Sequence, residues 1–160
     1  MVAYTFQKRF VPKIKEGTKW GTIRKPRSRQ TRKLDKLQLY FGMRTKSCRK
    51  IRDAVCLGVV PIDLLVKPTG IFGITLNRTF LSHREWDDFA RADGFEDFRD
   101  FDSYWLDSAA IQEALKEHPG GYAPIYYEWI IWDDRAFKFL KEPPSDDTAE
   151  IRKELEALGL

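Results

Sequence analysis

Gly17-Thr18-Lys19-Trp20-Gly21-Thr22-Ile23-Arg24 lies between a short strand-like segment and a long basic one. Glu16-Gly17-Thr18 is a turn signal, because glycine accepts backbone angles that other residues avoid. Upstream, Tyr4-Thr5-Phe6-Gln7-Lys8-Arg9-Phe10 reads as a strand with imperfect alternation, and Pro12 marks its exit. Downstream, Arg24-Lys25-Pro26-Arg27-Ser28-Arg29-Gln30-Thr31-Arg32-Lys33 has no apolar periodicity, so a mobile basic loop is expected there. Strand character returns at Leu37-Gln38-Leu39-Tyr40-Phe41 and closes at Gly42. Residues 51–62 alternate around Val55, Leu57 and Val59, and Pro61 places the end of that strand at a sheet edge. Ile71 to Leu76 is a further short strand.

The period then changes from two to about 3.6. Ser82-His83-Arg84-Glu85 is a capping box, followed at helical spacing by Trp86, Phe89 and Ala90, and Gly94 stops the helix. Phe98, Phe101 and Trp105 mark a second amphipathic helix, and residues 108–118 a third, ended by Pro119-Gly120-Gly121. Ile125 to Trp132 is strongly strand-forming, with Ile125, Tyr127, Trp129 and Ile131 on one face. After Pro143-Pro144, Ile151, Leu155 and Leu158 make a stripe on a final short helix. The expected class is α+β: a barrel-like sheet of five to six strands with two or three inserted helices and a C-terminal helix. Residues 1–140 form the domain and 141–160 the tail.

At 160 residues, 42% hydrophobic and 14% aromatic, the chain can bury a real core. No apolar run approaches the roughly 20 residues that span a bilayer, and the first residues lack a signal-peptide layout. Cys48 and Cys56 could make one bridge at most, and with only His83 and His118 beside them a four-ligand zinc site would need odd spacing. No metal or cofactor is expected, and a reduced, cytoplasmic setting is the default. Charge is the strongest compositional signal. Residues 1–52 carry 17 Lys and Arg against Glu16 and Asp35, so the segment stands at +15 and the remainder at −11. Such clustering favours an anionic partner, with affinity that falls as salt rises. The alternative is that the acidic part folds over the basic part and neutralises it.

The 17–24 segment resembles the signature of the ASCH domain family, a G-x-K-x-x-T-I-R element after the first strand. Phe6 to Phe10 is similar to that strand. Leu34-Asp35-Lys36-Leu37-Gln38-Leu39 stands where the family usually has Gly-Asp and a strand, and Leu34 in place of Gly puts the turn there in question. Phe41-Gly42-Met43-Arg44-Thr45-Lys46 is similar to a segment of a bacterial and phage-associated subgroup. The layout extends over residues 4–132, the motifs over the first 60. The resemblance implies a PUA-like β-barrel with a cleft, in a superfamily that handles RNA and modified nucleobases. Some members deacylate acetylcytidine, some are described as single-strand ribonucleases, and others are RNA-binding modules; fold does not choose between them.

By the same resemblance, Lys19 and Thr22 correspond to catalytic positions of the amidohydrolase members, and Asp93 stands where those relatives carry Glu. A threonine hydroxyl needs a neighbouring base, a lysine of lowered pKa can serve, and a carboxylic acid can protonate the leaving amine. The plainer reading is that Lys19 and Arg24 only contact phosphates, that Thr22 is a strand residue and that Asp93 is a solvated acid. Trp20 suits stacking on an exposed base or packing in the core. Gly21 beside it could let a ligand approach the backbone. Lys25, Arg27, Arg29, Arg32 and Lys33 would follow a phosphate backbone or form a solvated connector. Trp129, Tyr126 and Trp132 are expected in the core, and Glu128 near the cleft is the weaker alternative. The expected partner is single-stranded RNA, another nucleic acid or a modified nucleoside, held as a binding module or hydrolysed; a protein partner for the basic loop is the third reading.

Overall fold

The computed structural model describes residues 1–141. The anticipated helix bearing Ile151, Leu155 and Leu158 lies outside the described residues, as does the tail apart from Lys141. The first strand, β1 (Val2–Phe6), turns Val2, Tyr4 and Phe6 inward. It does not run on to Phe10. Lys8–Phe10 is a 3-10 turn that leads into α1 (Val11–Glu16), a helix absent from the sequence reading. Pro12 sits in its first turn, where a missing N–H costs nothing, and Gly17 ends it at a left-handed φ of 78°.

Next come β2 (Gly21–Arg24), β3 (Lys36–Phe41), β4 (Arg49–Val55), β5 (Gly58–Lys67), β6 (Gly70–Leu76) and β7 (Thr79–Phe80). Three helices follow, α2 (Trp86–Ala92), α3 (Phe98–Leu106) and α4 (Ala109–Glu117), and then β8 (Ala123–Ile131). Asp97 and Ser108 cap α3 and α4 through their side chains, while Ser82 caps a 3-10 turn just ahead of α2. The expected α+β class is present. Among the described residues eight strands form rather than five to six, divided between two sheets ordered β1-β3-β4 and β2-β8-β5-β6-β7, neither of them closed.

The alternating run 51–62 is two strands. Cys56 N donates to Asp35 O at 2.9 Å, and Leu57 N donates to Ile131 O at 2.7 Å, so adjacent residues pair with different sheets. β5 is central, between β8 and β6. Pro61 is tolerated there because β6 has ended: its carbonyl accepts from Asn77 N at 2.8 Å, one residue past Leu76. One hydrophobic core joins both sheets and the helices, from Val2 through Phe89 and Trp129 to Phe139.

Leu34 adopts φ 71° and is exposed. A left-handed angle strains a branched side chain but not glycine. Its N–H donates to Cys56 O at 2.7 Å, which keeps the turn in place. Leu34→Gly is therefore expected to stabilise the fold by about 0.5–1 kcal/mol, net of the larger backbone entropy that glycine loses. Urea denaturation of the two proteins checks this.

Candidate functional site

Lys19 lies in the loop between α1 and β2, and Thr22 and Arg24 follow on β2. Asp93 caps the end of α2, brought alongside because Trp20 N donates to Ala92 O at 2.7 Å. Lys19 and Asp93 are both almost fully buried, at 3% and 2% exposure. The Lys19 ammonium donates to the Asp93 carbonyl and lies 3.3 Å from Asp93 Oδ1. The rings of Phe10, Phe6 and Trp132 surround the same nitrogen, Phe10 closest at 4.9 Å. Gly94 (φ 98°) completes the seat, since a Cβ there would lie 2.8 Å from Lys19 Cδ. Arg24 donates through Nε to Thr22 Oγ1 (3.2 Å) and through Nη2 to Thr5 O (2.7 Å).

Burial dominates the electrostatics. Loss of solvation lowers Lys19 to about 8, against the upward pull of Asp93 and with a further push down from Arg24. Loss of solvation raises the Asp93 carboxyl to about 6, against the pull of Lys19. Burial likewise lowers Arg24 and raises Tyr104. The buried Trp129 indole N–H also favours the charged form of Asp93, although among the described residues it completes no hydrogen bond.

Lys19, Thr22, Arg24, Lys25 and Asp93 line one cleft of about 570 Å³. Aromatic side chains line it, among them Phe41 of β3, Tyr104 and Trp105 of α3 and Tyr127 of β8. The sequence reading assigned none of these four to the cleft, because half-buried aromatics share the amphipathic pattern of core residues.

Other anticipated site residues lie elsewhere. Trp20 does not line this cleft. It packs near Phe139 under Arg135 (4.9 Å from the ring) and Lys138, and borders a separate depression with Lys13 and Arg91. Gly21 does not open a path for a ligand, because Trp129 and Ile130 O occupy the space a Cβ would take. Asp93 is not a solvated acid. Arg27 covers the Tyr4 ring at 4.3 Å and donates to Ala3 O. Arg29 and Arg32 line another hollow with Asp35, and Lys33 borders one beside Leu57. The loop is irregular, but Thr31 is buried and its hydroxyl pairs with Tyr4 Oη at 2.6 Å. Trp129 and Trp132 are core residues, whereas Tyr126 is exposed and Glu128 pairs with Gln30. The acidic part meets the basic part in ion pairs that include Arg9–Asp100, Lys13–Glu96 and the buried Lys19–Asp93.

Among the described residues no cluster of His, Cys, Asp or Glu could hold a metal ion, and no helix is long and apolar enough to cross a membrane. Both cysteines are free, and burial pushes the Cys56 thiol up to about 12. Comparison with protein-family models, with curated proteins and with solved structures gives no match.

Proposed function

We propose that the chain is an ASCH-like, PUA-like nucleic-acid-binding module whose cleft receives one base of single-stranded RNA or a modified nucleoside. The observation that carries this reading is the convergence of Lys19, Thr22, Arg24 and Asp93 on the floor of a cleft walled by Phe41, Tyr104, Trp105 and Tyr127. Aromatic rings give a base about 1–3 kcal/mol of stacking, and buried polar groups at the floor read its edge. Leu34 supports the family likeness, because it takes a glycine-like backbone angle where the family carries Gly.

Binding of a labelled single-stranded RNA decamer, followed by fluorescence anisotropy, tests the module. Thr22→Val removes a hydroxyl that can meet the base and is expected to weaken binding about tenfold with no change in salt dependence. Unchanged affinity in Thr22→Val, or no binding by the native chain, would count against the reading.

A second reading is hydrolysis of an acylated nucleoside. It draws support from the two shifted groups, a lysine near 8 and a carboxyl near 6, which suit proton transfer near neutrality. Thr22 Oγ1 accepts from Arg24, however, and among the described residues no hydrogen bond joins it to Lys19. Incubation with acetylcytidine separates the two readings, since turnover that disappears in Lys19→Ala and Thr22→Val would make the chain an enzyme.

A further inference from the structure

The β3–β4 arm, residues 42–52, carries Arg44, Lys46, Arg49, Lys50 and Arg52 and no acid; Asp53 follows directly. All five cations are exposed. Lys50 pairs with Asp53 at 3.2 Å, whereas Arg44, Lys46 and Arg49 have no ion pair among the described residues. The tip is ordered by its own turns: Thr45 N and Oγ1 both donate to Gly42 O, and Cys48 N donates to Thr45 O. Gly42 (φ 63°) and Arg44 (φ 66°) take left-handed angles there. The arm begins at the mouth of the cleft. Phe41 and Gly42 line the cleft, Met43 N donates to Thr5 Oγ1 at 3.3 Å, and the Arg49 guanidinium lies 4.9 Å from the Phe41 ring.

We propose that this arm is a phosphate-binding track which carries a single-stranded polynucleotide past the cleft, so that the ligand is a strand rather than a free nucleoside. The inference rests on the reading of the cleft as a base site. A cleft of about 570 Å³ holds one base and its sugar, so the neighbouring phosphates lie outside it, and Arg49 beside Phe41 is the first cation of the arm, which carries Lys46 and Arg44 toward its tip. Exposed, unpaired cations need no desolvation of a partner before they meet phosphate, and each phosphate neutralised on a single strand adds about 0.7 to the salt slope. Charges on β4, an open edge strand, also discourage strand–strand pairing. That role predicts no effect on RNA binding.

The test is R44Q/K46Q/R49Q, three exposed substitutions, with retained folding checked by circular dichroism. Anisotropy with a labelled single-stranded RNA decamer and the matching DNA decamer is read from low to moderate salt, beside native chain and Thr22→Val. The triple variant is expected to lose about tenfold or more in affinity at low salt and about 2 from the salt slope, equally on RNA and DNA, because phosphate contacts carry no base or sugar information. Native-like affinity and slope in the triple variant, with Thr22→Val impaired, would overturn the arm's role and leave the base cleft standing. Loss on one polymer alone would overturn the phosphate assignment. If the native chain bound neither decamer, the reading of the cleft would fall and the arm's role with it.

Discussion

At pH 7, Lys19→Met is expected to unfold about 3 kcal/mol more readily than the native chain, because it strands a buried carboxyl. Asp93 is 2% exposed and Lys19 is the first group that offsets its burial. Taking away one member of a buried pair leaves the other's desolvation uncompensated, which is why single removals cost more than removing both. Lys19→Met/Asp93→Asn should accordingly recover to within about 1 kcal/mol of the native protein, since neither charge is then buried. Equal losses in the single and double variants, measured by urea denaturation, would show that the pair is not coupled.

The pH dependence follows from the directions of the two shifts. The folded Asp93 carboxyl, near 6, holds its proton more tightly than the unfolded one at 3.8. The native state therefore binds more protons between those values, and this group's contribution to stability falls as pH rises from about 4 to 6. Folded Lys19, near 8, releases its proton before the unfolded lysine at 10.5, so its contribution rises with pH from about 8 upward. The pair thus weighs most heavily on the fold between pH 6 and 8, where both groups are charged. In Lys19→Met the lone carboxyl climbs higher still, and its penalty should shrink on acidification toward pH 5. A site that destabilises its own fold at neutral pH is expected where buried charge is retained to meet a ligand rather than to hold the chain together.

The elements legible in the sequence are those with clean periods or a distinctive composition. β8 is legible from its dense aromatic and β-branched content rather than from alternation, and α2, α3 and α4 carry apolar stripes bounded by Ser82, Asp97 and Ser108. The six residues of α1 are too few for a stripe, and Pro12 marks a strand's exit as readily as a helix's first turn. The switch between sheets at Cys56 is not legible either, because the spacing of Val55, Leu57 and Val59 suits one continuous strand, whereas in the structure Ala54, Val55, Cys56 and Leu57 are all buried as the backbone changes partners. Of the candidates that a resemblance in sequence grouped together, Lys19, Thr22, Arg24 and Asp93 were brought to one cleft, although 74 residues separate Lys19 from Asp93. Trp20 was not, because its indole Nε1 donates to Gly17 O at 3.2 Å on a different depression from the one Lys19 faces. The cations of the arm were counted in the basic segment, but their place beside Phe41 depends on β3–β4 pairing, which a charge count does not contain.

Gly21→Ala is expected to cost about 3 kcal/mol, at the upper end of what overpacking does to a core. The cause is space and not backbone angle, since Gly21 lies in β2 with no left-handed φ. A Cβ would stand 2.6 Å from Ile130 O and 2.7 Å from Trp129 Nε1. The carbonyl belongs to β8, whose Ile130 and Ile131 lie opposite Thr22 and Gly21 and are paired on the other side with β5, so it cannot withdraw without breaking a ladder. Trp129 is fully buried against Phe89 and Phe139, so its ring has nowhere to rotate. The strain must therefore pass into β2, which carries Thr22 and Arg24, and the indole N–H that favours the charged form of Asp93 would shift with it. Stability and RNA affinity should fall together in Gly21→Ala, and the stability loss should exceed that of Thr22→Val, which removes only the acceptor of Arg24 Nε. A Gly21→Ala protein with a native urea midpoint would mean that β2 and β8 are not packed as described.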